Sequence, residues 1–291
     1  MKLIVAVDEK WGIGKSGDLL KSIPDDMLYY RATTRDRVVV MGYATLLSLP
    51  HSRPAPGRLN LVLADIQGLR VSGAVVCGSM DRLLELIGCF EPDDVFDIGG
   101  GSMYRQLMPY CSDAHITKMQ FDGGADTHIP NLDELAAWSV AEESERYDYE
   151  GLSYAFVVYH NDAPLPIPAS THRSTSMSRY FKKREPVWCA VVSDERYRCE
   201  LLRLLNAYFH PLADGFGDED VARFLSEGDG VSFEQYLREN RLIADAADIA
   251  ALEIPSGPSV SVHITKENYA DFAAALNDRS LSMTQLAERF G

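Results

Sequence analysis

The first 160 residues predict an α/β fold with a mostly parallel central sheet flanked by helices. Three observations carry that expectation. Short, continuous, β-branched-rich apolar runs recur at Leu3–Val7, Val38–Met41, Leu59–Leu63, Ala74–Val76, Asp94–Ile98 and His115–Met119, and runs of this kind read as strands buried on both faces. Helical patterns lie between them at Asp25–Thr34, Tyr43–Leu49, Ser79–Ile87 and Ser102–Tyr110. Alternation of the two kinds favours a parallel sheet covered on both sides.

Taken in order, strand Leu3–Val7 runs into a loop punctuated by Gly12, Gly14 and Gly17 that ends at Ile23-Pro24. Pro24 has φ already set for a helix start and needs no amide donor, so it suits a first helical turn. In the helix that follows, Met27 and Tyr30 fall at helical spacing from Pro24 and Asp26, so one face carries a carboxylate beside aromatic surface. An acid held against apolar walls keeps a raised pKa and suits the binding or passing of a proton. Asp25, its neighbour, reads as a first-turn carboxylate complementing the helix dipole. At the end of this region, Trp138–Arg146 and Tyr154–His160 read as two antiparallel edge strands, with Tyr149-Glu150-Gly151 turning between them.

Residues 162–186 read as a linker. Pro164, Pro166 and Pro168 precede small polar residues and the basic cluster Arg173, Arg179, Lys182, Lys183 and Arg184, and such a stretch is expected to be a solvated connection. Residues 187–291 then predict a small α+β C-terminal domain. Its expected strands are Val187–Val192 and Val260–Ile264. Asp194–Phe209 is an amphipathic helix with Leu201, Leu204, Leu205 and Tyr208 on one face. Further helices are expected at Asp218–Ser226, Ser232–Glu239 (opened by a Ser232-x-x-Gln235 capping pattern), Ala244–Leu252, Lys266–Leu276 and Met283–Phe290. Ser282 to Gly291 resembles the first half of a helix-turn-helix, but the chain ends where a recognition helix would begin, so DNA binding is not expected.

Composition narrows the function classes. The 291 residues are 46% hydrophobic and 24% charged, with a formal net charge of −15. That is ordinary for a globular protein, and the negative balance disfavours general nucleic-acid affinity. No apolar run approaches bilayer length. The N-terminal MKLIVAV is too short for a signal peptide and reads as a buried strand. Five cysteines without C-x-x-C spacing argue against a disulfide framework or a zinc site, so no metal is expected and a reducing cytoplasm is.

Six segments, in order and spacing, resemble the dihydrofolate reductase family. Ile23-Pro24-x-Asp26 opens the first helix. Val38-Val39-Val40-Met41-Gly42 and Pro54-Ala55-Pro56-Gly57-Arg58-Leu59-Asn60 follow. Then come Ile98-Gly99-Gly100-Gly101-Ser102-Met103-Tyr104, and His115-Ile116-Thr117 ahead of Gly124-Ala125-Asp126-Thr127-His128-Ile129-Pro130. The resemblance covers residues 1 to about 161. It implies reduction of 7,8-dihydrofolate by hydride transfer from a nicotinamide cofactor, NADPH with NADH as the alternative. Asp26 takes the place of the acid that binds the pterin and promotes its protonation, and Thr117 the place of the supporting hydroxyl, although a β-branched strand residue is an equal reading. Expected substrate-binding residues are Ile4, Val5, Ala6, Tyr30, Leu49, Arg58, Ile98 and Tyr104. Arg58 suits a glutamate carboxylate because a planar guanidinium grips it with two hydrogen bonds. Expected cofactor-binding residues are Ala6, Ile13 and Gly14 at the nicotinamide, and Gly42, Tyr43, Thr45, Leu63, Asp65, Gly99, Gly100, Gly101, Ser102 and Met103 along the dinucleotide. Gly42 and Thr45 open a helix, and glycines permit close backbone approach to phosphates.

Departures from the family pattern bear on both halves. Lys21 and Leu20 stand where the family usually has Trp and Pro, which puts loop geometry and the proton route in question. Tyr43, Ala44, Ala64, Asp65 and Ser102 replace residues that favour a 2′-phosphate, and a carboxylate there accepts ribose hydroxyls instead; Arg53 and His51 are the cations left to restore the contact. Two other readings stay open: a riboflavin-pathway pyrimidine reductase, disfavoured by Asp26, and a non-catalytic folate or nucleotide sensor signalling through the C-terminal domain. That domain is assigned to assembly, including homo-oligomerisation, or to regulation, with no membrane partner.

Overall fold

A computed structural model describes residues 1–168, 185–209, 233–239, 242–278 and 281–291. The described residues fall into two compact units, one within 1–179 and one from 180 onward, with Phe233 assigned to the first. The expected basic cluster at 173–184, the helix at 218–226 and the Ser232 cap lie outside the described residues.

The first unit holds strands β1 (Lys2–Val7), β2 (Gly12–Lys15) and β3 (Asp18–Leu19), then helix α1 (Pro24–Thr34), β4 (Val38–Gly42), α2 (Tyr43–Ser48), β5 (Leu59–Leu63) and β6 (Ala74–Cys77). Next come α3 (Met80–Ile87), β7 (Val95–Asp97), α4 (Gly101–Leu107), β8 (Asp113–Met119), β9 (Thr127–His128), β10 (Trp138–Glu143), β11 (Tyr147–Tyr149) and β12 (Leu152–Asn161). The main sheet runs β10-β12-β8-β1-β7-β4-β5-β6, with β11 paired to β12. The pairs from β8 through β6 are parallel, and β12 joins β8 antiparallel. The centre is apolar throughout: Val38, Val39, Val40 and Met41 of β4 are all fully buried. Each such side chain contributes about 1.5–3 kcal/mol by leaving water.

Three expectations change. The glycine loop after β1 is partly structured, because β2 pairs with both β3 and β9. Ser16 and Gly17, both at positive φ, close the β2–β3 hairpin in the manner that favours two-residue turns. β12 is not an edge strand: it lies between β8 and β10, and Tyr154, Ala155, Val157 and Tyr159 are buried along it. β7 is shorter than expected, since Pro92–Asp94 is a 3₁₀ turn before it and Gly99 leaves the strand at φ +92°.

The second unit pairs β13 (Val187–Val192) antiparallel with β14 (Ser259–Ile264). Helices α5 (Glu195–Phe209), α6 (Phe233–Glu239), α7 (Ala246–Ala250), α8 (Tyr269–Asp278) and α9 (Met283–Phe290) accompany them. Leu201 and Leu205 on α5, Val191, Phe272 and Leu286 are fully buried in one apolar cluster. α8 begins later than expected because Thr265 and Asn268 bond each other's amides just before it. The Ser282–Gln285 capping box opens α9.

Candidate active site

The chemistry gathers where α1 crosses β1 and β8. Period-two alternation sends His115, Thr117 and Met119 to one face of β8, and Thr117 lies in register with Ala6 on β1 and Phe156 on β12. Three residues apart on α1, Asp26 and Tyr29 clasp that face: the buried Thr117 hydroxyl donates to Asp26 Oδ1 at 2.6 Å, and Tyr29 Oη lies 2.7 Å from His115 Nδ1. Burial pushes the Asp26 carboxyl above its ordinary value, and the Thr117 hydrogen bond opposes that shift only in part. A half-buried acid beside Ala6 and Phe156, with one oxygen occupied by Thr117, leaves its other oxygen to accept from a flat N–H-bearing ring.

Further along α1, the Arg58 guanidinium stands 5.3 Å over the Tyr30 ring. Its Nε donates to Thr34 Oγ1 at 2.8 Å, and its terminal nitrogens to the Pro56 and Arg31 carbonyls at 2.6 and 3.0 Å. Three of the five N–H groups are thus committed, and two remain for a carboxylate.

Some of the residues expected around the dinucleotide meet near Gly42 and Gly99. The Gly42 amide donates to the Gly99 carbonyl at 2.8 Å. A Cβ at Gly100 would lie 3.2 Å from Thr45 Oγ1, so the backbone there is open toward the hydroxyl. Gly99 and Gly101 are glycines for packing: their Cβ atoms would come within 2.4 Å of the Tyr104 ring and 2.7 Å of Thr127 Cγ2. Leu63 lies in register with Gly42. Ile13 and Gly14 lie on β2, while Asp65 and Ser102 are exposed. Ile98 and Leu49 pack partly buried against the β4–β5 core.

Two expected binding residues are buried. Tyr104 is 4% exposed, and its hydroxyl donates to the Ile4 carbonyl at 2.8 Å, so it acts through the backbone of β1. Met103 is buried against Gly42. Both side chains sit on the inward face of the short helix α4, where packing claims them. Val5 is half-buried on β1. The departures in the loop are also occupied: Lys21 Nζ pairs with Glu150 at 2.7 Å, and Leu20 fills the space over Gly123.

Several contributors escaped the sequence reading. Asp8, 2% exposed, accepts from the amides of Lys10 and Gly12 at 2.9 and 2.7 Å and from Gly123 at 3.0 Å, tying β1 to the loop and to the segment before β9. Its Asp-x-x-x-Gly spacing was a visible signal. Asp25 is held by the Tyr154 hydroxyl at 2.7 Å, a role beyond the helix dipole. Asp97, a charge inside an apolar run, is fully buried.

Comparison with known proteins bears on the family. A family model described as "Dihydrofolate reductase" matches residues 1–161. The dihydrofolate reductase of Bacillus subtilis (strain 168) is 32% identical over 161 residues, which cover 53% of this chain and 93% of the relative. The bifunctional dihydrofolate reductase-thymidylate synthase of Daucus carota is 39% identical over 150 residues, 46% of this chain and 28% of that longer protein. A solved structure of the Enterococcus faecalis dihydrofolate reductase, complexed with NADP(H) and RAB-propyl, aligns with a TM-score of 0.49 at 24% identity, covering 55% of this chain and 95% of that one. With the family model matched across more than half its length, the chain belongs to the dihydrofolate reductase family.

Proposed function

We propose that the first unit reduces 7,8-dihydrofolate to tetrahydrofolate with NADPH. The observation that carries this reading is the Thr117-supported, half-buried Asp26 at the start of α1. Ionised, its free oxygen accepts from the pterin amino group and ring N–H and so favours a proton on the ring, while burial lets the carboxyl hold a proton to pass there. Reduced nicotinamide, when bound, supplies the hydride. Gly100 and Thr45 fit a pyrophosphate, because the backbone is open beside the hydroxyl where a Cβ would crowd it. Oxidation of NADPH at 340 nm, dependent on added dihydrofolate, tests the reading; no dihydrofolate-dependent signal would end it.

In the same reading Arg58 holds the glutamate tail of the substrate, and Tyr30 walls its benzoyl ring. Arg58→Gln is expected to raise KM for dihydrofolate about 10–100-fold with kcat little changed, as loss of one charged hydrogen-bond pair removes uniform binding. A pterin substrate lacking the glutamate should be indifferent to the change, which separates carboxylate binding from support of the α1 end.

Exposed Asp65 and Ser102, with Tyr43 after Gly42, offer a 2′-phosphate little positive charge. A lost arginine contact of about 1.5–3 kcal/mol corresponds to roughly 10–100-fold in selectivity. The ratio of kcat/KM for NADPH over NADH is therefore expected to fall well below about a thousandfold, and a larger ratio contradicts this assignment. For the second unit, which has an apolar cluster of its own, the reading remains assembly or regulation. Sedimentation of the full chain tests assembly.

A further inference from the structure

Asp97 ends β7 in the middle of the main sheet, between β1 and β4. Its Oδ1 accepts from the Gly99 amide at 2.9 Å, and its Oδ2 is buried without a hydrogen-bond partner. Gly99 is therefore gripped twice, by Asp97 at its amide and by the Gly42 amide at its carbonyl. It sits at φ +92°, where a Cβ would strike the Tyr104 ring. We propose that Asp97 is a positioning residue for the cofactor: its carboxyl shapes the Gly99–Gly101 corner, and only its uncharged form leaves that corner receptive to a pyrophosphate.

The surroundings favour the uncharged form. Burial pushes the carboxyl up to about 8, against the lowering effect of the Gly99 amide. The strand residues in register with it, Leu3 and Val40, are apolar. The titratable groups within electrostatic reach are Tyr104 on α4 and Cys111 beyond it, both driven well above their ordinary values by burial and so neutral. No described cation compensates an ionised Asp97. In that state a negative charge would stand two residues from where an anionic pyrophosphate approaches, inside a medium that screens poorly. The proposal rests on the cofactor site assigned above, and its test separates the two.

The experiment is calorimetric titration of NADPH into the full chain from pH 6.5 to 9, for the native protein, Asp97→Asn and Asp97→Val, with KM for dihydrofolate measured alongside. Native affinity is expected to hold until near pH 8 and then weaken toward about tenfold per pH unit, the limit when only one protonation state binds. Asn keeps the acceptor for Gly99 and cannot ionise, so its affinity should stay level. Val loses the acceptor; it should bind NADPH about tenfold or more weakly than Asn at every pH, with KM for dihydrofolate unmoved. An alkaline loss in Asp97→Asn equal to the native one overturns the proposal, as does equal affinity in the Val and Asn variants. If Asp97→Val fails to fold, the native and Asn profiles decide alone. A native chain that takes no NADPH at any pH refutes the cofactor site itself, and this inference with it.

Discussion

Asp26→Asn is expected to lower kcat about 10²–10⁴-fold, the usual contribution of a positioned acid–base group, while leaving the fold intact. The amide fits the same space and still accepts from Thr117, but it has no proton to hold and no charge to bind a ring N–H. Burial raises the native carboxyl, so its ionised form is the strained one; the Asn variant should therefore melt no lower than the native chain. The pH profile gives the second check. Activity that depends on the protonated acid falls as pH rises through the elevated pKa. Residual Asn activity should instead follow only the substrate's own protonation, rising toward acid by up to about tenfold per pH unit. Thr117→Val separates support from chemistry. Thr117 holds the Asp26 pKa down, so its loss should carry the native fall in rate to higher pH with a smaller drop in kcat. Turnover in Asp26→Asn within about threefold of native would remove the residue from the mechanism.

How much of this was legible in the sequence depended on how local each signal was. The parallel core could be read because β4 and β6 are continuous apolar runs and β5 is broken only by Asn60, as burial on both faces favours. The start of α1 could be read because Pro24, Asp25 and Asp26 lie within one turn. By contrast, β2 has no hydrophobic alternation, and its partner β9 lies more than a hundred residues away, so its strand character exists only through pairing. The same holds for β12: whether an alternating strand is an edge or an interior member depends on β10 covering it, which period alone does not encode. Tyr104 and Met103 enter through the family resemblance alone, and nothing in their spacing tells that α4 buries both side chains. Asp8 and Tyr154 act through partners distant in sequence, Gly123 and Asp25. The pairing of Asp26 with Thr117 was reached through the family resemblance, since neither residue names the other by spacing.

Asp97→Asn is expected to stabilise the chain near pH 7 by a few kcal/mol, with the difference closing toward pH 4. The native carboxyl has an ordinary value of 3.8 and a folded value of about 8. Between those limits the folded chain binds a proton that the unfolded chain has released. Stability linked to this group is therefore fully present below about pH 4, declines by up to about 1.4 kcal/mol per pH unit as pH rises, and levels off above pH 8. Asn carries no such linkage. Its amide nitrogen inherits the site of the unpartnered Oδ2, so the desolvation cost of about 1–3 kcal/mol for an unpaired polar group remains in both proteins and largely cancels. Asp26, whose pKa is raised in the same sense, also cancels in the comparison. Urea midpoints measured for both proteins at half-unit steps from pH 4 to 9 isolate the contribution of Asp97. Parallel curves would mean that the group ionises in the folded protein much as it does in water, whereas convergence toward acid fixes it as a buried, proton-bearing acid beneath Gly99.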